Sequence, residues 1–151
     1  MGIHEIRQFF QSRLSHPEPA RGSDPVAIAA CALLLEMGHA DGVLDDAERA
    51  RIVRAVREDL GVPAADVDEV VRLAEEERRE SVDLYQFTKL VAEKFSREQR
   101  LRLIEAIWGI VYADGKLTAV ENQLARRIAE LLGFQHPEVQ AIRERVKEDA
   151  G

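Results

Sequence analysis

The chain has 151 residues, 46% of them apolar and 32% charged, a composition that suits one globular domain with a sizeable core. Its formal net charge is −7, which argues against binding to nucleic-acid phosphates and against adsorption to anionic lipid. A single cysteine, Cys31, excludes an internal disulfide, and no run reaches the roughly 20 apolar residues needed to cross a bilayer.

Aromatic residues are only 5% of the chain, and Ala, Leu, Glu and Arg dominate, which favours helices over strands. No stretch alternates with period two, so an all-α fold of about seven or eight helices is expected. No secretory leader is visible, and a cytoplasmic protein is the simplest expectation. Cys31 sits among Ala and Leu and reads as a buried, inert thiol.

In chain order, Ile3, Ile6, Phe9, Phe10 and Leu14 place one apolar stripe on a helix over residues 3–14. Such a helix either packs on the domain or serves as a peripheral arm that docks a protein partner or a membrane surface. Residues His16 to Ser23 are rich in Pro and Gly and read as a linker, so the expected organisation is an arm over 1–22 and a helical domain over 23–151. Ser23-Asp24-Pro25 supplies a cap residue and then a first-turn proline. From Val26 to Met37 nearly every residue is apolar, which marks a helix buried on all sides.

An amphipathic helix follows with Ile52, Val53, Val56 and Leu60 facing inward, and Gly61 ends it. Pro63 opens a third helix with Val67, Val70, Val71 and Ala74 on its buried side. Asp66, Asp68, Glu69, Glu75, Glu76 and Glu77 read as its solvated face. A helix from Asp83 carries Leu84, Phe87, Leu90, Val91 and Phe95 inward. Ser96 and Gln99 then form a capping box for an apolar helix reaching Tyr112, which contains Trp108 and is expected to cross the Val26–Met37 helix at the centre. Leu124, Ala125, Ile128 and Leu132 face inward on the next helix, which Gly133 ends. His136-Pro137 opens a last helix with Val139, Ile142 and Val146.

Two turns share a pattern. Ala40-Asp41-Gly42-Val43-Leu44-Asp45-Asp46-Ala47-Glu48 and Ala113-Asp114-Gly115-Lys116-Leu117-Thr118-Ala119-Val120-Glu121 agree at five of nine places. Each follows an apolar helix and precedes an amphipathic one, which suggests an internal repeat of helix, tight turn and helix. Gly42 and Gly115 suit the left-handed conformation that ends a helix. Asp45 with Glu48, and Thr118 with Glu121, suit capping boxes that open the next one.

ADG-x-L-x-x-x-E after an apolar helix, found twice about 70 residues apart, resembles the TerB family, the tellurite-resistance domain whose fold also heads some DnaJ-like co-chaperones. The resemblance covers roughly Pro25 to Phe134. It implies a compact helical bundle with clustered acidic residues that bind a divalent metal, and a non-enzymatic role tied to tellurite or another stress, or to a protein partner.

Other chemistry finds little support. There is no Gly-rich phosphate loop, no H-E-x-x-H and no cysteine cluster for zinc. His16 and His136 precede prolines and read as turn residues. Glu36 and His39 make Glu-x-x-His, but a di-metal bundle needs that motif from two helices, and the second copy has Gly109 and Tyr112 there. Arg49, Arg51, Arg54 and Arg57 come closest to a basic face, with Glu48, Glu58 and Asp59 among them. The acidic turns remain. Asp41, Asp45, Glu48, Asp114 and Glu121 are oxygen donors suited to a hard cation, Ca²⁺ or Mg²⁺ in preference to Zn²⁺. The alternative is that the Asp residues bond turn amides and the Glu residues only complete caps. Thr118, where the first copy has Asp45, breaks the symmetry of the pair. A metal-dependent hydrolase using paired carboxylates is a further alternative, but no nucleophile, base and orienting group stand together in a motif.

Overall fold

In the computed structural model, residues 25–40, 42, 44–81, 83–113 and 118–150 are described, the side chain of residue 150 excepted. They form seven α-helices and one 3₁₀ turn: α1 (Pro25–Gly38), α2 (Asp46–Glu58), the 3₁₀ turn (Ala64–Asp66), α3 (Val67–Glu80), α4 (Tyr85–Lys94), α5 (Arg97–Val111), α6 (Ala119–Leu131) and α7 (His136–Ala150). No strand occurs among the described residues, so the expected all-α class holds. The helix expected over residues 3–14 lies outside them.

The sequence of α1 accounts for its central place. Ala27 to Leu35 and Met37 are buried without a break, and α2, α3, α4, α5 and α6 all pack on this helix. Small alanines at 27, 29, 30 and 32 allow neighbours to approach closely, while Ile28, Leu33, Leu34 and Leu35 fill the space between them. Helix α5 is less central than expected. It buries Leu103, Ile104, Ile107, Trp108, Ile110 and Val111, but Arg97, Glu98 and Arg102 stay in solvent, so it is amphipathic rather than buried all round.

Val53 is half-buried and packs against the core from the edge of α2, whose fully buried residues are Glu48, Ile52, Ala55 and Val56. The acidic face of α3 is not wholly solvated. Glu77 is buried at 2% exposure, and Glu75 is drawn into a polar network with α1. Glu75 is held by His39 of α1 and by Arg78, donors that meet a half-buried carboxylate.

The ends of the helices follow their local chemistry. Gly61 (φ +71°) and Gly133 (φ +94°) take the left-handed conformation just past α2 and α6. Arg100 of α5 adds a cap from another helix, its Nη1 donating to the Leu132 carbonyl at the end of α6 at 2.6 Å. Ser96 and Gln99 close the expected capping box at the start of α5. Helix α7 is tied to α5 by Arg97–Glu138 and Arg145–Glu105 ion pairs, and by Arg143, whose Nε donates to the Tyr112 hydroxyl at 2.8 Å.

Candidate metal centre

Each acidic turn follows the C-terminal end of a core helix, α1 in the first copy and α5 in the second. In the first, His39 and Ala40 extend the last turn of α1, and Gly42 takes φ +99° with its N–H bonded to the His39 carbonyl at 2.9 Å. A side chain is strained at such a φ, which is why glycine stands there. The chain then enters α2 through Asp45. Its Oδ1 accepts the Glu48 N–H at 2.7 Å, and Glu48 Oε1 accepts the Asp45 N–H at 3.4 Å. In the second, Thr118 Oγ1 accepts the Glu121 N–H at 3.1 Å. Glu121 Oε1 accepts both the Thr118 N–H, at 3.2 Å, and the Thr118 hydroxyl, at 2.9 Å. Both expected capping boxes therefore form.

The burial of the two glutamates is a feature that capping does not require. Glu48 is 6% exposed and Glu121 is 4% exposed, whereas Asp45 is in solvent. A capping-box glutamate usually lies at the surface, where water serves its second oxygen. Here Glu121 Oε2 makes no hydrogen bond among the described residues. Asp45 and Glu48 are brought together, and so are Thr118 and Glu121. Asp41 and Asp114, the other two expected ligands, lie outside the described residues. Among the described residues no three His, Cys, Asp or Glu side chains gather as a metal site.

Carboxylates are the donors that Ca²⁺ or Mg²⁺ prefers, and no cysteine or pair of histidines stands with them among the described residues. Cys31 does not compete for this role. It is fully buried on α1, and burial pushes its thiol far above the ordinary range, so no thiolate is available.

The Glu36-x-x-His39 pair is used elsewhere. Arg78 of α3 lies 3.5 Å from Glu36 and 3.4 Å from Glu75, and His39 Nε2 is 3.3 Å from Glu75 Oε1. This half-buried network pins the end of α1 to α3 immediately before the first acidic turn. Its links between α1 and α3 join residues 36 and 42 apart, so nothing in the local sequence could have announced them. At the equivalent end of α5, Tyr112 stacks on Trp108 with ring centres 6.1 Å apart and takes the Arg143 hydrogen bond. No nucleophile, base and orienting group assemble among the hydrogen bonds of the described residues, and nothing in the geometry favours a hydrolase.

Comparison with known families agrees with this architecture. The family model for tellurite resistance protein TerB matches residues 27–144, which takes in all of α2 to α6 and most of α1 and α7. No curated protein and no solved structure gives a match. The match spans well over half of the chain, and the chain belongs to the TerB family.

Proposed function

We propose that this TerB-family chain is a non-enzymatic binding module that takes a divalent cation at its acidic turns. Asp41, Asp45 and Glu48 would serve from the first turn, and Asp114 and Glu121 from the second. A bound cation would supply positive charge beside two nearly buried carboxylates, and would stabilise the fold by mass action. What this chain's own residues contribute is placement. The capping boxes fix Glu48 and Glu121 at the starts of α2 and α6, and Gly42 makes the turn between α1 and α2.

One observation carries the proposal: two nearly buried glutamates, each at the third position of a helix that follows an Asp-Gly pair. Ca²⁺ and Mg²⁺ are the cations expected from an all-oxygen donor set. A role in tellurite or another stress response follows from the family, and a protein partner would read the cation-bound state. The arm over residues 3–14 would supply contact with that partner or with a membrane surface. The melting temperature measured with chelator and with each added cation tests the cation reading. A rise lost in Glu48→Gln and Glu121→Gln supports it, and an unchanged melting temperature overturns it.

A further inference from the structure

The outer face of α2 is the second surface that the fold leaves without an evident task. Asp46, Arg49, Ala50, Val53, Arg54 and Arg57 line a shallow groove there, all on one face of the helix. Val53 is half-buried and Ala50 exposed, which gives the groove a small apolar floor between guanidinium groups. Arg54 and Arg57 share one carboxylate, Glu58, at 3.0 and 3.7 Å. The Arg49 side chain forms no ion pair or hydrogen bond among the described residues. Arg51 turns to another side, its Nη1 4.0 Å from where a side chain on Gly109 would begin. A protein of net charge −7 thus carries a strip of positive charge with fewer acidic partners than cations.

We infer that this face docks an acidic helical segment of another protein, a segment with carboxylates on either side of a short apolar stripe. Charge complementarity selects the occupant. Three guanidiniums flank a floor of Ala50 and Val53, so a matching ligand offers small apolar side chains with Asp or Glu beside them. From Arg49 to Arg57 the strip runs about 12 Å at the helical rise, enough for two turns of a helix and short for a track of duplex phosphates. Asp46 at one end bounds it further against a polyphosphate. A second copy of this chain is a poorer match, because Glu69 and Glu76 on the acidic side of α3 are already held by Arg72. The inference rests on the chain being a binding module and does not use the cation.

Fluorescence anisotropy tests it, with a labelled 14-residue amphipathic peptide bearing Glu at i and i+4 beside a Leu/Ala stripe, in chelator and at low salt. Saturable binding is expected, lost when the peptide's Glu are replaced by Gln. It should weaken about tenfold or more in Arg49→Glu/Arg57→Glu, with the single Arg49→Gln intermediate. The charge-matched Arg127→Glu/Lys147→Glu variant should bind like the parent, and unchanged melting temperatures would show that all the variants fold. Absence of binding, equal binding by the double variant, tighter binding of a short DNA duplex, or self-association removed by the same substitutions would each overturn the inference. Because the titration is run in chelator, its failure leaves the cation-dependent melting shift untouched, and the two proposals fail separately.

Discussion

One oxygen of Glu121, Oε1, accepts two hydrogen bonds from Thr118, from its backbone N–H at 3.2 Å and from its hydroxyl at 2.9 Å. The first copy differs, since Asp45 has no hydroxyl group to match that of Thr118. The second glutamate is therefore held by its cap residue more firmly than the first. In chelator, Thr118→Ala should cost about 0.5–2 kcal/mol, the range for losing an N-cap side chain. Urea unfolding of the two proteins measures the difference. Asp45→Ala should fall in the same range, since Asp45 Oδ1 also caps an N3 amide.

Trp108 is the largest fully buried side chain. Arg143 lies over its ring, 5.5 Å from the centroid, and Tyr112 stacks beside it. Trp108→Ala should destabilise the protein by about 3–5 kcal/mol, as a large core truncation does. Trp108→Phe should cost clearly less, because Trp108 Nε1 is buried without a hydrogen-bond partner among the described residues and the phenyl ring leaves no polar atom to satisfy. Denaturant unfolding followed by circular dichroism separates the two, and native tryptophan emission should be that of an indole shielded from water.

Burial raises the Cys31 thiol above its ordinary value, with Glu75 adding to the shift and Arg49 opposing it. Because the folded value is raised, the stability tied to the neutral thiol is fully present below the ordinary thiol pKa. It is lost as pH rises above that value, where the unfolded chain ionises and the folded one does not. Iodoacetamide should leave Cys31 unmodified at pH 8 in the native protein and label it in urea. Cys31→Ala should flatten the decline in stability between about pH 9 and 10.5.

Asp59 caps the C-terminal end of α2, where the helix dipole disfavours a negative charge. Partial burial raises its carboxyl above the usual range, and Glu58 and Glu105 add to the effect. With the folded value raised, the neutral form is favoured in the native state, so stability is lost as pH rises through the folded value. Asp59→Asn should therefore stabilise the protein at pH 7 by at most about 0.3–1 kcal/mol, toward the low end because the carboxyl is only partly buried and solvent screens it. The gain should vanish near pH 3. Melting curves across this range give the comparison.

Much of the fold could be read locally. The unbroken apolar run of α1, the capping residues at 45, 96 and 118, and the glycines at 61 and 133 are short-range signals, and each acts where it was expected. What escaped depends on residues far apart in the chain. Glu77 belongs to an acidic run yet is buried, and Glu75 of the same run is drawn to His39 on α1. Helical period gives the face of a residue, not the neighbour that covers it. The candidate site was legible as a spacing of Asp, Gly and Glu. The burial of Glu48 and Glu121 was not, because it is set by how α2 and α6 pack on the rest of the bundle.

The most direct test of the cation reading is the melting temperature in chelator and in millimolar Ca²⁺ or Mg²⁺, for the parent chain and for Glu48→Gln, Glu121→Gln, Asp41→Asn and Asp114→Asn. Gln serves as well as Glu in a capping box, so the two Gln variants should match the parent in chelator to within about 0.5 kcal/mol. If the turns hold a cation, the parent should gain about 2.7 kcal/mol at a hundredfold excess over its dissociation constant, and each variant should lose most of that gain. A parent melting temperature that does not respond to chelator or to added cations, with all four variants equally unresponsive, would leave the glutamates as caps alone and contradict the account.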